Sequence, residues 1–347
     1  MTFKLTIWIS CILFTAALLI NSCSKKDTGP TGPTPITFKT PPGFPEPNYK
    51  FVGNTLTEEG FQLGRKLFYD GRLSKDGNFP CASCHQQFAA FVTFDHDLSH
   101  GFNNQFTIRN SPGIFNMAWQ KELQWDGGVA NIEVQPLAPI TAPNEMAEDI
   151  NNVINKLKAD SAYRVMFRKA FGDDEINSQR MLKAITQFVA SIVSSESKYD
   201  KMKRGQATFN TDENTGYSIF QAKCASCHAE PMFTDFSYRN NGMPLNSTLK
   251  DYGRMRITNK KEDSLKFKVP SLRNVMLTSP YGHDGRFFSL PNVFDHYNSG
   301  IQDGPTLDPL LKNKIPLSTL DRFYLREFLK TLTDSTILKD QRFSEPK

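Results

Sequence analysis

The spacing of apolar residues along the chain predicts helices. In SQRMLKAITQFVASIV, which starts at Ser178, apolar residues recur at i, i+1, i+4, i+7, i+8 and i+11, the spacing of one helix face. These residues are Met181, Leu182, Ile185, Phe188, Val189 and Ile192, and Ser178 is the candidate N-cap. A second segment, STLDRFYLREFLKTL, repeats the pattern with Leu320, Phe323, Phe328 and Leu329. We expect both stripes to pack into cores.

The first 48 residues have a different pattern. ILFTAALLI (residues 12–20) follows Lys4 and is short for a membrane span, so residues 1–22 are predicted to be an export signal. The signal runs into NSCSKK, which resembles the lipobox of bacterial lipoproteins. We therefore expect Cys23 to carry a lipid that tethers the protein without spanning the membrane. Ordinary signal cleavage, with Cys23 left as a spare thiol, is the alternative. Residues 23–48 are rich in proline and predict an extended linker.

Length and charge narrow the class of protein. At 347 residues the chain is long enough for two domains, which we place at residues 49–205 and 206–347. The net charge is +5, from 41 basic and 36 acidic residues, and no basic block is interleaved with aromatic residues. This pattern argues against a nucleic-acid partner.

The cysteines indicate the chemistry. Besides Cys11 in the signal and Cys23, the remaining four lie in a pentapeptide, CASCH, that occurs at residues 81–85 and again at 224–228. C-x-x-C alone can form a disulfide, a redox pair or half of a zinc site. With histidine next, two thiols one helical turn apart can add to the haem vinyl groups, while the imidazole binds the iron. We predict two c-type haems, attached through Cys81, Cys84 and His85 and through Cys224, Cys227 and His228.

The surroundings of the two pentapeptides are also alike. GRKLF (residues 64–68) precedes the first and GYSIF (residues 216–220) precedes the second, both in helical segments. One of the amphipathic helices follows each copy far downstream. The simplest interpretation is two all-α haem domains that arose by duplication.

Further motifs occur in a recognisable order: LSKDG before the first haem, then RNSP, WDGG, NEM, PSLRN and PYGHDG. With them the chain, from about Leu56 to Leu332, resembles the bacterial dihaem cytochrome c peroxidase family, which includes relatives that oxidise tryptophans in a partner protein. The resemblance implies two cytochrome c-like domains packed together, after the signal and the Pro-rich linker. The N-terminal domain would be peroxidatic and the C-terminal domain would transfer electrons.

The resemblance also assigns roles around the first haem. His100, in SHGF, matches a distal histidine that blocks the resting haem in many members; His96 or a simple polar loop is the alternative. Gln135 and Glu145 match the amide and the carboxylate beside the peroxide, with Glu145 moving the proton between the peroxide oxygens. Trp125 matches the aromatic residue between the haems.

The second haem departs from the usual peroxidase pattern. Tyr297 occupies the position of the distal ligand, which is methionine in well-known peroxidases and tyrosine in the tryptophan-modifying relatives. A phenolate favours ferric iron and lowers the potential. Alternatively, His296 binds the iron or neither residue does. His283 is expected to form hydrogen bonds near the haem propionates. WDGG replaces the WDGR of many members and leaves an expected basic contact unfilled.

The resemblance further implies calcium at the domain junction, bound by Asn110 and the carbonyls of Thr278 and Pro280. It implies a periplasmic enzyme that reduces hydrogen peroxide with electrons from a small cytochrome or cupredoxin. Since the family is often dimeric, a homodimer is compatible with it. One alternative is an oxidase that modifies partner side chains through high-valent iron; because those relatives lack a blocking histidine, His100 argues against it. The other alternative is a non-catalytic dihaem electron carrier.

Overall fold

The computed structural model describes residues 32–347. The predicted signal, Cys23 and the start of the predicted linker therefore lie outside the described residues. Between Gly32 and Lys347, no helix is both long enough and apolar enough to cross a membrane. The helices are α1 (Glu58–Phe68), α2 (Cys81–Cys84), α3 (Leu137–Thr141), α4 (Ile150–Ala159), α5 (Ser161–Phe171), α6 (Ser178–Ala190), α7 (Lys198–Lys203), α8 (Thr211–Lys223), α9 (Met255–Thr258), α10 (Leu290–Asp295), α11 (Thr319–Lys330) and α12 (Thr336–Lys339).

The strands β1 (Tyr238–Arg239) and β2 (Phe267–Lys268) pair antiparallel. Short 3₁₀ turns connect the longer elements at Gly71–Leu73, Gln87–Ala89, Phe102–Asn104, Met117–Trp119, Lys261–Asp263, Val275–Leu277 and Pro309–Leu311. The described chain is thus mostly helical, as the apolar spacing predicts.

Two helix pairs repeat the same close crossing. Helix α1 packs against α6, and α8 packs against α11. At the first crossing, a Cβ added to Gly64 would fall on the carbonyl oxygen of Ala184; at the second, a Cβ added to Gly216 would fall on that of Tyr324. The glycines of GRKLF and GYSIF therefore each allow two helix backbones to touch. The two segments share a packing arrangement as well as a sequence pattern.

Helix α6 begins as the pattern predicts, but its N-cap is one residue earlier. Asn177 has an extended backbone, and its side chain accepts a hydrogen bond of 2.9 Å from the Arg180 amide. The prediction of Ser178 as N-cap is wrong because Ser178 is already the first helical residue. Asparagine and serine cap almost equally well, so adjacent candidates cannot be separated from sequence.

The buried apolar residues form two main clusters. The first core holds buried residues between Phe51 and Ile192, and the second holds residues between Tyr199 and Leu332. The five stripe residues inside α6 are buried, and so is Ile192, two residues past its end. In α11, Phe328 and Leu329 are buried, but Leu320 and Phe323 are 64% and 47% exposed. Leu320 and Phe323 each lie five residues before a buried residue of α11. Five residues correspond to a rotation of about 140° around the helix axis, so both side chains face away from α8.

The end of the chain returns to the first core. Ile337 and Phe343 belong to that core, and Gln87 Nε2 donates to the Ile337 and Asp340 carbonyls at 2.9 Å each. The expected second domain, residues 206–347, therefore includes a tail that packs with the first half. An apolar tail side chain is buried wherever a core has room for it, and the sequence does not say which core.

Most of the described part of the expected linker also packs. Phe38 and Phe44 lie 5.8 and 5.3 Å from the Trp119 ring, and the Trp119 indole donates to the Pro45 carbonyl at 2.7 Å. Residues 33–48 therefore lie against the first core and do not form a free stalk. The aromatic side chains that lie among the prolines supply the apolar contacts with the first core.

Candidate haem site

One cavity of about 1250 Å³ joins the two halves of the described chain. Both CASCH segments line it. Its wall also includes most of the residues that the resemblance singled out: His100, Asn110, Trp125, Gln135, Glu145, Thr278, Pro280, His283 and Tyr297. Residues spread over 200 positions of sequence thus meet at one site.

The first pentapeptide presents a neutral imidazole. Helix α2 places Cys81 and Cys84 one turn apart, and the His85 amide donates to the Cys81 carbonyl at 3.0 Å. His85 Nδ1 lies 3.0 Å from the Phe91 carbonyl and so carries the proton, while burial lowers the pKa of His85. The Nε2 lone pair is left free for iron.

The second pentapeptide repeats this geometry. Cys224 caps α8, and the His228 amide donates to its carbonyl at 3.0 Å. His228 Nδ1 lies 3.1 Å from the Pro270 carbonyl and 3.3 Å from that of Phe233. Phe91 and Phe233 both have left-handed backbones, with φ of 60° and 55°. The two proximal loops are therefore built alike.

The thiol chemistry fits thioether attachment better than redox or zinc chemistry. The four cysteines among residues 32–347 form no disulfide. Burial raises the pKa of Cys81 and of Cys224 to about 12 each, whereas redox and metal-binding cysteines have lowered pKa values. Half-buried cysteines on the wall of a large cavity suit covalent haem.

The charges on the cavity wall fit haem propionates. Seven basic side chains line the cavity against two acidic ones, Asp126 and Glu145. The basic residues are Arg109, Lys223, Arg239, Arg256, Lys268, Arg273 and Lys314. Arg109, Lys223, Arg239 and Arg273 are paired with carboxylates, whereas Lys268 and Lys314 form no ion pair within residues 32–347. These two cations are available to the carboxylates of the haems. The residues present therefore fit two haem c groups.

A carboxyl, Glu145, and an amide, Gln135, both lie on the part of the cavity wall that the first half supplies. Burial raises the pKa of Glu145 above its ordinary value. The Gln135 Oε1 atom is buried and has no hydrogen-bond partner within the described part of the chain. The Glu145 backbone is held by the Phe102 amide, which donates to its carbonyl at 2.6 Å. The site thus offers a proton-carrying group and an open acceptor.

His100, and not His96, faces the cavity. His100 Nδ1 lies 2.8 Å from the Asn104 side-chain oxygen, and its ring lies 4.3 Å from that of Phe106. His96 is exposed, with Nδ1 3.1 Å from the Phe94 carbonyl.

In the second half, Tyr297 lines the cavity and burial raises its pKa. It lies in a π-helical turn, His296–Gly300, that continues α10; such turns are frequent at functional sites. His296 Nε2 lies 3.0 Å from the Asn241 carbonyl oxygen. This hydrogen bond occupies the ring nitrogen that would bind iron. Met243 also lines the cavity, beside Gly282; sequence reasoning missed it, because no motif marks it.

The junction between the halves is hydrogen-bonded through Asn110. The Trp125 indole donates to the Asn110 carbonyl at 2.8 Å, and the Asn110 amide donates to the His283 carbonyl at 2.8 Å. The His283 ring stacks on Phe267 at 3.6 Å, and burial lowers the His283 pKa to about 4, so it is neutral. Its buried Nδ1 has no partner within residues 32–347, as expected for a haem-facing group.

The WDGG turn has its basic contact after all. Asp126 pairs with the Arg109 guanidinium at 2.7 Å. In the matching HDGR turn, Asp284 pairs with Arg286 in the same motif. The expectation of an unfilled contact is wrong because Arg109, seventeen positions before Asp126, supplies the charge.

A mostly helical chain that turns two haem-attachment motifs toward one cavity is a dihaem c-type cytochrome, and the carboxyl and amide in that cavity suit an oxidoreductase. The chain belongs to the di-haem cytochrome c peroxidase family, whose model matches residues 58–208.

Similar proteins extend the match over most of the chain. It is 35% identical over 303 residues to the methylamine utilization protein MauG of Methylorubrum extorquens, covering 85% of this chain and 83% of the relative. It is 37% identical over 229 residues to cytochrome c551 peroxidase of Nitrosomonas europaea, covering 65% and 68%. The crystal structure of a MauG-like protein associated with microbial copper homeostasis superposes with a TM-score of 0.80 at 32% identity, covering 90% and 99%. The protein is thus an oxidoreductase of the dihaem peroxidase family.

Proposed function

We propose that the protein reduces hydrogen peroxide to water with two electrons from a small cytochrome or cupredoxin. The electrons pass through the haem of the C-terminal half to the haem of the N-terminal half. The observation that carries the proposal is Glu145, a half-buried carboxyl on the cavity wall whose pKa is raised by desolvation. A pure electron carrier has no proton to move and no use for such a group.

The chain's own residues supply the acid–base chemistry. When bound, the haem supplies an iron that exchanges electrons with peroxide. Glu145 takes a proton from one peroxide oxygen and returns it to the other, so that the O–O bond breaks with water as the leaving group. Gln135, with its free Oε1, orients the peroxide hydroxyl. Two electrons and two protons per peroxide give two waters.

The other residues on the wall have proposed supporting roles. His100 would hold the iron of the first haem at rest and would release it when the second haem is reduced; its place on the cavity wall supports this. Tyr297 would hold the iron of the second haem. Trp125 carries electrons between the haems. Asn110 binds calcium with the Thr278 and Pro280 carbonyls.

The architecture and location are proposed from the sequence. We propose two cytochrome c-like domains near residues 49–205 and 206–347, with the tail from residue 333 joining the first. We place the protein in the periplasm, tethered through a lipid on Cys23. Mass spectrometry of the mature protein would detect the lipid, and a Cys23→Ser variant recovered from membranes would refute the tether.

The test follows peroxide consumption by the purified holoprotein, with a reduced monohaem cytochrome as donor. Turnover is expected, and it should need pre-reduction if His100 blocks the resting haem. Glu145→Gln should abolish turnover while both haems stay attached. Glu175→Gln is the matched control, because Glu175 is an exposed surface carboxylate. Equal turnover in both variants would remove Glu145 from the mechanism.

Modification of a partner protein is the second candidate. Tyr297 on the cavity wall favours it, and the match to MauG proteins supports it. In that case peroxide would oxidise the protein, the donor cytochrome would not restore it, and only a partner protein would return the resting spectrum.

A further inference from the structure

A second aromatic side chain lies directly behind the WDGG turn. Gly127 in that turn has φ of +75°, and an added Cβ would collide with the hydroxyl of Tyr238. The Tyr238 hydroxyl therefore touches the backbone two residues from Trp125. Tyr238 is half-buried and is not among the residues that line the haem cavity, whereas Trp125 lines it.

The strands fix this arrangement. Tyr238 pairs with Lys268 in the two-stranded sheet, and the Lys268 amide donates to the Trp125 carbonyl at 2.7 Å. Only Lys268 thus lies between the strand that carries Tyr238 and the main chain of Trp125. A short, rigid connection of this kind favours electron transfer between the two side chains.

Tyr238 has a proton acceptor in place. Its hydroxyl donates to Glu122 Oε2 at 2.8 Å. Arg254 donates to the same Glu122 oxygen at 3.1 Å and lies 3.8 Å over the Tyr238 ring. Burial raises the pKa of Tyr238, and the Tyr238 hydrogen bond and Arg254 lower that of Glu122 against its own burial. The resting pair is therefore a neutral phenol and a carboxylate.

We propose that Tyr238 is a redox relay that carries an oxidising equivalent from Trp125 toward the surface. The inference rests on the proposed function, which supplies hydrogen peroxide as the oxidant. Tyr238 gives one electron to oxidised Trp125 and restores the indole. In the same step the phenol proton moves along the hydrogen bond to Glu122, leaving a neutral phenoxyl radical. One electron from an external donor, with the proton returned from Glu122, restores the phenol.

The relay ends where a partner can reach it. Tyr238 is partly exposed and the side chain of its hydrogen-bond partner Glu122 is 38% exposed, whereas the Trp125 indole is hydrogen-bonded inside the junction. The Arg254 cation over the ring disfavours loss of an electron, so the radical is a strong oxidant once formed. A donor too large to enter the cavity, such as an exposed tryptophan or tyrosine of another protein, could therefore be oxidised here.

The test is electron paramagnetic resonance of the holoprotein, frozen after addition of peroxide without any donor. We expect a tyrosyl radical signal whose hyperfine pattern changes when the protein contains ring-deuterated tyrosine. Tyr238→Phe should abolish the signal. Glu122→Gln should reduce its yield, because an amide can accept the hydrogen bond but cannot keep the proton.

Tyr49→Phe is the matched control. The Tyr49 hydroxyl also donates to a carboxylate, Glu133, at 2.7 Å, but Tyr49 lies outside the cavity wall and the WDGG turn. The control should keep the signal. Peroxide consumption with no tyrosyl signal, or a signal that survives Tyr238→Phe, would overturn the relay and leave the peroxidase standing. A holoprotein that does not react with peroxide at all would overturn both.

Discussion

Phe343 should matter more to stability than any exposed aromatic residue of the C-terminal half. It is only 4% exposed, four residues before Lys347, and its ring lies 6.2 Å from those of Phe61 and Phe188 and 6.5 Å from that of Phe91. The Phe91 carbonyl is the hydrogen-bond partner of His85. Phe343→Ala therefore removes a core side chain next to the first haem's ligand loop.

The size of the effect follows from burial. Replacing a buried phenylalanine by alanine costs about 3–5 kcal/mol, through lost transfer free energy and the cavity left behind. The tail can detach locally, which limits the loss, so we expect about 3 kcal/mol. For a domain of this size that is a fall in Tm of roughly 6–12 °C. Phe323→Ala, at a site 47% exposed, should change stability by less than about 0.5 kcal/mol.

The assay is urea and thermal unfolding of both holoprotein variants, followed by circular dichroism and by the haem absorbance. A loss for Phe343→Ala no larger than that for Phe323→Ala would refute the packing of the tail against the first core. A large loss that appears only in the second haem's transition would refute its assignment to the first half.

The other predictions concern the site and the helix crossings. Because burial raises the pKa of Glu145 and the protonated acid cannot take a proton from peroxide, kcat/KM should fall as pH drops through that raised pKa, and a kcat/KM that stays constant on the acid side would contradict this. Tyr297→Phe should change the absorbance and the potential of the second haem alone, and an unchanged spectrum would remove Tyr297 as its ligand. Gly216→Ala should separate α8 from α11 and cost about 1–3 kcal/mol of unfolding free energy, whereas Gly304→Ala, where a Cβ meets nothing within 4 Å, should be near neutral in the same denaturation. Removing calcium with a chelator should alter haem coordination or turnover, measured by absorbance and peroxide consumption, and no change in either would count against a calcium site at the junction.

The local patterns of the chain were predictable because they depend on neighbours in sequence. CASCH fixes two thiols one turn apart and an imidazole next to them, whatever the rest of the fold does. The α6 stripe recurs with the helical period, so its burial follows once that helix packs. Only half of the prediction for α11 is confirmed, because the apolar residues Leu320 and Phe323 lie outside the buried face of the helix.

Contacts between distant segments could not be predicted in this way. Nothing near Phe343 says that it packs in the first core, and nothing near Arg109 says that it pairs with Asp126. The Tyr238 hydroxyl meets Glu122 across more than a hundred residues. Such pairs depend on how the helices cross and where the strands register, and these are properties of the packed chain.

The sequence by itself determined two haem attachment sites, a helical chain and the kinds of side chain available for peroxide chemistry. The spacing of the cysteines and histidines in the two motifs and the helical periodicity depend only on residues close in sequence, so the sequence alone is enough to recognise them. Only the tertiary structure decided that His100 rather than His96, and Tyr297 rather than His296, faces the cavity. In each case two polar residues close in sequence differ in the direction in which their side chains point. That direction is set by packing against residues far away in the chain.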